Sequence, residues 1–282
     1  MKFAFFFPGQ GSQSVGMMQG LADISIVRET FTEASDILGQ DFWSMVTEPN
    51  EALNQTANTQ PLMLTAGVAT WRAWQQASDL NPCLMAGHSL GEYTALVAAG
   101  TLSFKDALPL VRYRAEVMQG AVAEGVGAMA AILGLDDDTV RQVCAQAAQG
   151  EVVEAVNLNS PGQVVIAGNK AAVERGMELA KEKGAKRALP LPVSVPSHCA
   201  LMKPAAAQLA QYLESVTITS GQVPVIHNAD VAAYDDAAKI KDALVRQLYN
   251  PVRWVETVQH VHQQGILATA ECGPGKVLAG LT

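Results

Sequence analysis

Two hydrophobic patterns alternate along most of the chain. Continuous apolar runs occur at Phe3–Phe7 and at residues 83–86, and each run ends at a glycine-rich turn. Such runs are typical of strands that are buried on both faces of a parallel sheet. Longer stretches repeat apolar residues at three- and four-residue spacing, which predicts helices with one buried face. The alternation therefore predicts an α/β fold with a parallel sheet.

The same patterns predict the elements outside the middle of the chain. Helices are predicted at residues 15–21, 27–38, 61–77, 93–99, 103–122, 201–213, 237–248 and 252–263. Short strands are predicted at residues 224–226 and 266–271. Ser103 is expected to cap the helix that follows it, because Asp106 stands three residues later.

The segment between residues 126 and 192 follows a different order. Its predicted strands are residues 128–133, 151–157, 163–167 and 185–191, and its predicted helices are residues 136–148 and 171–183. This βαββαβ order is that of a ferredoxin-like module. We therefore expect a small ferredoxin-like subdomain (126–192) inserted into a large domain made of residues 1–125 and 193–282.

The first candidate for chemistry is Ser89 in the motif Gly87-His88-Ser89-Leu90-Gly91. A Gly-x-Ser-x-Gly motif between a strand and a helix is typical of a nucleophile elbow. The turn is tight, so a Cβ two residues before or after the serine would clash with the backbone. The alternative is an inert serine in an ordinary strand-to-helix turn.

A nucleophilic serine needs a base, and the chain has five histidines. His198 stands where the inserted segment returns to the large domain, and its ordinary pKa suits proton transfer. The alternative is that His198 only precedes and caps the next helix. His88 is a poor candidate because the turn points its side chain away from Ser89. His260 and His262 are expected in solvent, and the sequence assigns no role to His227.

Two backbone amides are candidates for an oxyanion hole. The Leu90 amide follows the serine at the start of a helix. The loop Gly9-Gln10-Gly11 could supply the second amide, although it could also be a simple tight turn. Phosphate binding is excluded for this loop because it lacks both Gly-x-Gly-x-x-Gly and Gly-Lys-Ser/Thr.

Arg114 lies in the buried stripe of its predicted helix, between Val111 and Met118. A buried guanidinium is costly unless it has a partner. From the pattern alone, either an internal ion pair or a side chain that reaches solvent would explain it.

Composition and charge exclude several classes of function. The 282 residues are 49% hydrophobic and 16% charged, with a formal net charge of −8. No basic run is present, which argues against nucleic acid as a partner. No apolar stretch reaches the roughly 18 residues that a membrane span needs. Four widely spaced cysteines predict reduced thiols in a cytoplasmic protein; they are Cys83, Cys144, Cys199 and Cys272.

Five motifs follow one another along the chain. They are Phe7-Pro8-Gly9-Gln10-Gly11-Ser12-Gln13, Gly87-His88-Ser89-Leu90-Gly91-Glu92-Tyr93, Arg112-Tyr113-Arg114 with Met118-Gln119, Asn159-Ser160-Pro161-Gly162-Gln163, and Pro196-Ser197-His198. Each motif alone is weakly specific. Together they closely resemble the malonyl-CoA:acyl carrier protein transacylase family of bacterial fatty acid synthesis. The resemblance covers essentially the whole chain.

The resemblance implies a fold and a set of roles. The fold would be an α/β-hydrolase-like core with a parallel sheet plus the inserted ferredoxin-like subdomain. Ser89 would be the acyl-accepting nucleophile and His198 its general base, with the backbone carbonyl of Gln247 orienting the imidazole. Arg114 would bind the free malonyl carboxylate, because a guanidinium can bind a carboxylate through two parallel hydrogen bonds.

The resemblance also implies the reaction. Ser89 would take the malonyl group from malonyl-CoA and pass it to the phosphopantetheine thiol of acyl carrier protein in a ping-pong sequence. The amides of Gln10 and Leu90 would form the oxyanion hole. The resemblance further implies no metal, no resident cofactor, a monomer and a cytoplasmic location. The family pattern continues beyond the position of Thr282.

The acidic chain would have to bind an acidic carrier protein. We therefore expect a local basic patch near the cleft, at Lys181, Lys183, Lys186 or Arg187.

Three alternatives stay open: a serine esterase or thioesterase, an acyltransferase for a different acyl group in polyketide synthesis, and a non-catalytic domain that docks on carrier protein. Malonyl transfer is favoured because no His-Gly-Gly-Gly loop is present and because Arg114 suits an acyl group with a carboxylate.

Overall fold

The computed structural model describes residues 2–193 and 195–282. Within these residues the strands are β1 (Phe3–Phe7), β2 (Leu84–Gly87), β3 (Gly127–Leu133), β4 (Val153–Ser160), β5 (Gln163–Asn169), β6 (Arg187–Pro190), β7 (Val225–His227), β8 (Ala232–Ala233) and β9 (Ala268–Glu271). The α-helices are α1 (Ser25–Leu38), α2 (Phe42–Thr47), α3 (Thr56–Ala77), α4 (Leu90–Ala98), α5 (Phe104–Gly120), α6 (Asp137–Ala148), α7 (Lys170–Glu182), α8 (Lys203–Glu214), α9 (Ala237–Gln247) and α10 (Trp254–Gln263). No helix in this part of the chain is both long and apolar enough to span a bilayer.

A five-stranded sheet with the order β8-β7-β2-β1-β9 forms the centre of the larger unit. The pairs β1–β2, β1–β9 and β2–β7 are parallel, and β8 is antiparallel to β7. All of β1 is buried. On one face Phe5 packs against Trp71 and Trp74 of α3, and on the other Phe6 packs against Trp254 of α10. This mainly parallel sheet between helices confirms the predicted α/β class.

A separate antiparallel sheet has the order β4-β5-β3-β6. Helices α6 and α7 pack on it, and side chains such as Ile132, Val140, Ile166 and Val173 form its own buried core. Every strand and helix predicted between residues 126 and 192 is present, with ends shifted by a few residues.

Main-chain hydrogen bonds join the antiparallel sheet to the segment before α10. The Leu158 N–H in β4 donates to the Val252 carbonyl at 3.0 Å, and the Val252 N–H donates to the Val156 carbonyl at 2.8 Å. Strand β4 is thereby fixed to the segment that leads into α10, which also packs against β4.

The prediction of a helix at residues 15–21 is wrong. The segment forms turns and a short 3-10 helix at Gln19–Leu21. Gly16 has a φ of +82°, which is outside the helical region. Its N–H donates to the Val46 carbonyl, which lies outside this segment. Helix α2 was not predicted; it is one turn and a half long, and Asp41 caps it by accepting from the Ser44 N–H.

Candidate active site

Ser89 lies in a sharp turn between β2 and α4. Its backbone has φ 51° and ψ −109°, a region that residues with a Cβ seldom adopt. The flanking glycines permit this turn. A Cβ on Gly87 would overlap the backbone of Gly91, and a Cβ on Gly91 would overlap the Phe7 carbonyl. The geometry is that of the nucleophile elbow which the motif predicts.

The Ser89 hydroxyl meets the imidazole of His198. Ser89 Oγ lies 2.8 Å from His198 Nε2, and His198 Nδ1 lies 2.7 Å from the backbone carbonyl oxygen of Gln247. Because a carbonyl oxygen only accepts, Nδ1 carries the proton and Nε2 is free to accept from the serine. Ser89 and His198, which the motifs single out, therefore lie together with Gln247, which the family resemblance implies.

Burial keeps the His198 imidazole neutral. Desolvation is the largest cause that lowers its pKa from 6.5 to about 3. The charge of Arg114 lowers this pKa further, whereas the hydrogen bond to the Gln247 carbonyl raises it. The imidazole is therefore unprotonated at neutral pH, which proton abstraction from a serine requires.

The other histidines take no part in this pair. His88 Nε2 lies 2.8 Å from Asn159 Oδ1 in β4, and burial lowers the pKa of His88. The side chain thus points away from Ser89, as expected. His227 is buried and faces a carboxylate described below. His260 and His262 lie in the last turn of α10.

Arg114 places its guanidinium beside the nucleophile. Its Nη2 lies 3.3 Å from Ser89 Oγ and donates to Gln247 Oε1 at 2.9 Å, and its Nη1 donates to Gln60 Oε1 at 2.7 Å. Its Cζ lies 5.3 Å from the centre of the Tyr93 ring, a cation–π contact. Within residues 2–193 and 195–282, no carboxylate pairs directly with Arg114, and its Nε–H has no acceptor.

Neither of the two structural explanations for Arg114 is observed. The residue is 1% exposed, so its side chain does not reach solvent, and its direct partners are neutral. Desolvation lowers the pKa of Arg114, which shows that burial opposes the charge. A buried guanidinium with an unused N–H beside a nucleophile suits an anionic ligand.

The two amides considered for an oxyanion hole lie in adjoining segments. A Cβ on Gly9 would overlap the His88 carbonyl and would lie 3.7 Å from the Leu90 nitrogen, so the loop after β1 packs on the elbow. Among the described residues, the N–H groups of Gln10 and Leu90 have no hydrogen-bond acceptor. Two unused donors in adjoining segments are what an oxyanion hole needs.

The Asn228 side chain is hydrogen-bonded to the backbone of the nucleophile elbow. The sequence patterns do not predict this role for Asn228. Its Oδ1 accepts from the Ser89 N–H at 2.7 Å, and its Nδ2 donates to the Gly87 carbonyl at 2.7 Å. Glu92 was also missed, although an acid in the otherwise apolar start of α4 was an available signal. Asn228 follows a short strand and carries no such signal.

The four basic residues expected to form a patch lie on α7, on β6 and between them, and all are exposed. They are Lys181, Lys183, Lys186 and Arg187. Lys181 forms an ion pair with Glu178. In the described part of the chain, no group of three or more His, Cys, Asp or Glu residues is arranged to hold a metal ion.

The chain is similar to known proteins over its whole length. A family model described as "Acyl transferase domain" matches residues 4–280. A malonyl CoA-acyl carrier protein transacylase of Salmonella typhimurium is 59% identical and one of Haemophilus influenzae is 60% identical; the matches cover 100% of this chain and 92% and 91% of those proteins.

Solved structures agree with these relatives. The crystal structure of an acyl-carrier-protein S-malonyltransferase from Burkholderia pseudomallei superposes with a TM-score of 0.98 at 63% identity, covering 100% of this chain and 92% of that one. A malonyl-transacylase in complex with a type II PKS acyl-carrier protein superposes with a TM-score of 0.99 at 56% identity, covering 100% of this chain and 92% of that one.

Proposed function

The chain belongs to the acyl transferase domain family, and we propose on this basis that it is a malonyl-CoA:acyl carrier protein transacylase. It moves the malonyl group of malonyl-CoA to the phosphopantetheine thiol of acyl carrier protein, and so supplies malonyl-ACP for fatty acid synthesis. The observation that carries the proposal is the position of Arg114. A buried cation that pairs directly with no carboxylate among the described residues lies 3.3 Å from a serine that is hydrogen-bonded to a neutral histidine.

The first half-reaction loads Ser89. His198 Nε2 takes the hydroxyl proton while Ser89 Oγ attacks the thioester carbonyl of malonyl-CoA. The amides of Gln10 and Leu90 hold the oxyanion of the tetrahedral intermediate. When the C–S bond breaks, the imidazolium returns its proton to the CoA thiolate, and malonyl-serine remains.

The second half-reaction reverses the first with a different thiol. His198 deprotonates the phosphopantetheine thiol of acyl carrier protein, which attacks the malonyl-serine carbonyl. When the C–O bond breaks, the imidazolium returns its proton to Ser89 Oγ. The backbone carbonyl of Gln247 holds the imidazole in the tautomer that both halves require.

Arg114 selects the acyl group. In a malonyl group one carbon separates the thioester carbonyl from the carboxylate, so a carboxylate lies close to Ser89 whenever the carbonyl does. The guanidinium can bind it with charge-assisted hydrogen bonds.

A serine esterase or thioesterase is less well supported, because His198 Nδ1 is hydrogen-bonded to a backbone carbonyl rather than to a carboxylate. Transfer of another acyl group in polyketide synthesis is the second candidate. The neighbour in complex with a type II PKS acyl-carrier protein supports a polyketide setting, but that neighbour is itself a malonyl-transacylase.

We extend the proposal to the architecture. The strand order β4-β5-β3-β6 with two helices supports a ferredoxin-like subdomain at residues 126–192. The parallel sheet with its elbow supports an α/β-hydrolase-like core made of residues 1–125 and 193–282.

Partners and setting are part of the same proposal. The reaction uses malonyl-CoA and acyl carrier protein and needs neither a metal nor a resident cofactor. The patch of Lys181, Lys183, Lys186 and Arg187 is proposed to attract the acidic carrier protein. The monomeric state and the cytoplasmic location stay predictions.

Product analysis with malonyl-CoA and phosphopantetheinylated acyl carrier protein tests the function. The proposal expects malonyl-ACP, with CoA release matched to its formation. Release of free malonate with no malonyl-ACP would instead indicate a thioesterase. Efficient transfer from another acyl-CoA with poor transfer from malonyl-CoA would favour the second candidate.

A further inference from the structure

Glu92, in the first turn of α4, is a fully buried carboxylate that the mechanism above does not use. Its Oε1 lies 2.7 Å from His227 Nδ1. Its Oε2 accepts from the backbone N–H of Asn228 at 2.8 Å and from Gln247 Nε2 at 3.0 Å. Three nitrogens converge on two oxygens, which is the environment that a buried carboxylate requires.

The side chain of Gln247 lies between Glu92 and Arg114. Its Nε2 donates to Glu92 and, at 3.0 Å, to the Ser89 carbonyl, while its Oε1 accepts from Arg114 Nη2. Carboxylates and carbonyls only accept, and a guanidinium only donates. The reverse orientation of the amide would set oxygen against oxygen and N–H against N–H. Glu92 and the Ser89 carbonyl together therefore determine which end of the amide meets Arg114.

The same arrangement explains how Arg114 keeps its charge without a direct ion pair. Burial lowers the pKa of Arg114, and the negative charge of Glu92 offsets part of this lowering. A carboxylate in direct contact would occupy the guanidinium with two hydrogen bonds. An amide between the two charges takes up one N–H of Nη2 and leaves other donors of Arg114 available.

We propose that Glu92 is a positioning residue for acyl selectivity: through Gln247 it holds the Arg114 guanidinium ready for the carboxylate of the acyl group on Ser89. This inference rests on the proposed function. It assigns Gln247 a second role, through its side chain, beside the role of its backbone carbonyl. Glu92 itself touches neither substrate nor the reacting atoms.

The test is the ratio of acylation rates with malonyl-CoA and with acetyl-CoA, measured by rapid quench and intact mass. Glu92→Gln keeps the shape of the side chain and removes its charge and one acceptor oxygen. We expect the malonyl-to-acetyl ratio to fall about 10-fold or more, chiefly through slower malonyl loading. Gln247→Met keeps the backbone carbonyl and should lower the ratio in the same direction.

Glu271→Gln is the matched control, since the Glu271 carboxylate accepts one hydrogen bond from the Ala279 N–H and no other within the described residues. Its ratio should equal that of the parent. A purely structural role for Glu92 would slow loading of both acyl groups equally, and an unchanged ratio in folded Glu92→Gln would overturn the proposal. If Glu92→Gln does not fold, the test rests on Gln247→Met. An unchanged malonyl-to-acetyl ratio in Gln247→Met would then overturn the proposal. Failure of the proposed function is separate, because the parent itself would then form no malonyl adduct.

Discussion

Arg114 Nη2 lies 3.3 Å from Ser89 Oγ, so the buried cation and the nucleophile share one side of the site. An acyl group on the serine must therefore pass beside the guanidinium. That proximity favours an acyl group with a carboxylate close to its carbonyl, because a charge-assisted hydrogen bond in a buried site is stronger than one in water.

Replacing Arg114 with alanine tests this selectivity. Charge-assisted hydrogen bonds to a carboxylate contribute about 1.5–3 kcal/mol each, so we expect Arg114→Ala to slow malonyl loading roughly 100-fold. Acetyl loading should be affected far less or increase, because acetyl has no carboxylate to bind. Arg112→Ala is the control, since Arg112 lies on the same helix and donates to Gln40. Unchanged malonyl loading in Arg114→Ala would remove the basis for the carboxylate site.

The lowered pKa of His198 predicts how activity and stability depend on pH. The folded-state pKa of about 3 lies below the ordinary value of 6.5, so the fold favours the neutral imidazole. That stabilisation is fully present above pH 6.5 and is lost as the pH falls toward 3, because only the unfolded chain binds the proton. The rate of Ser89 acylation should therefore stay level from about pH 8 to about pH 5.

Urea unfolding of the parent and of His198→Asn tests whether the free energy of unfolding falls with pH in this direction. Between pH 6.5 and pH 5 the parent should lose about 2 kcal/mol more unfolding free energy than the variant. Parallel pH profiles for the two proteins, or an acidic limb of activity centred near 6.5, would contradict the buried neutral base.

Asn228 should support both the stability and the activity of the elbow. Asn228→Ala leaves the Ser89 N–H and the Gly87 carbonyl without partners, and each buried unpaired group costs about 1–3 kcal/mol. We expect a loss of roughly 3 kcal/mol in unfolding free energy together with slower acylation. Asn50→Ala removes an asparagine that also bonds to backbone groups but is exposed, so its loss should be about 1 kcal/mol or less. Equal losses in the two variants would contradict this role.

Gly87 should not tolerate a side chain. A Cβ there overlaps the backbone of Gly91, and neither segment can shift without moving the sheet or α4, so Gly87→Ala should cost at least about 3 kcal/mol. Gly120→Ala, at the end of α5 where the space is open, should change stability by less than about 1 kcal/mol. Denaturant unfolding of both variants measures the difference. A stable, active Gly87→Ala would show that the turn is looser than its geometry indicates.

Hydrophobic spacing predicted most elements because their buried faces alternate with the period of a strand or a helix. Motif chemistry and the family resemblance together singled out Ser89, His198 and Arg114. Glu92 was available as an acid in an apolar helix start, but its partner could not be assigned, since the hydrogen bond between Glu92 and Asn228 joins residues 136 apart in the sequence. The failed helix at residues 15–21 has a similar cause, because the Gly16 N–H bonds to the distant Val46 carbonyl and the local bonds that remain form only turns and a short 3-10 helix.

Intact mass of the protein after mixing with malonyl-CoA tests the central claim most directly. The parent should gain one malonyl group, located on Ser89 by peptide mapping, and should lose it on addition of phosphopantetheinylated acyl carrier protein. Ser89→Ala should gain none. A parent that never carries the adduct, or an adduct of the same yield in Ser89→Ala, would contradict the account.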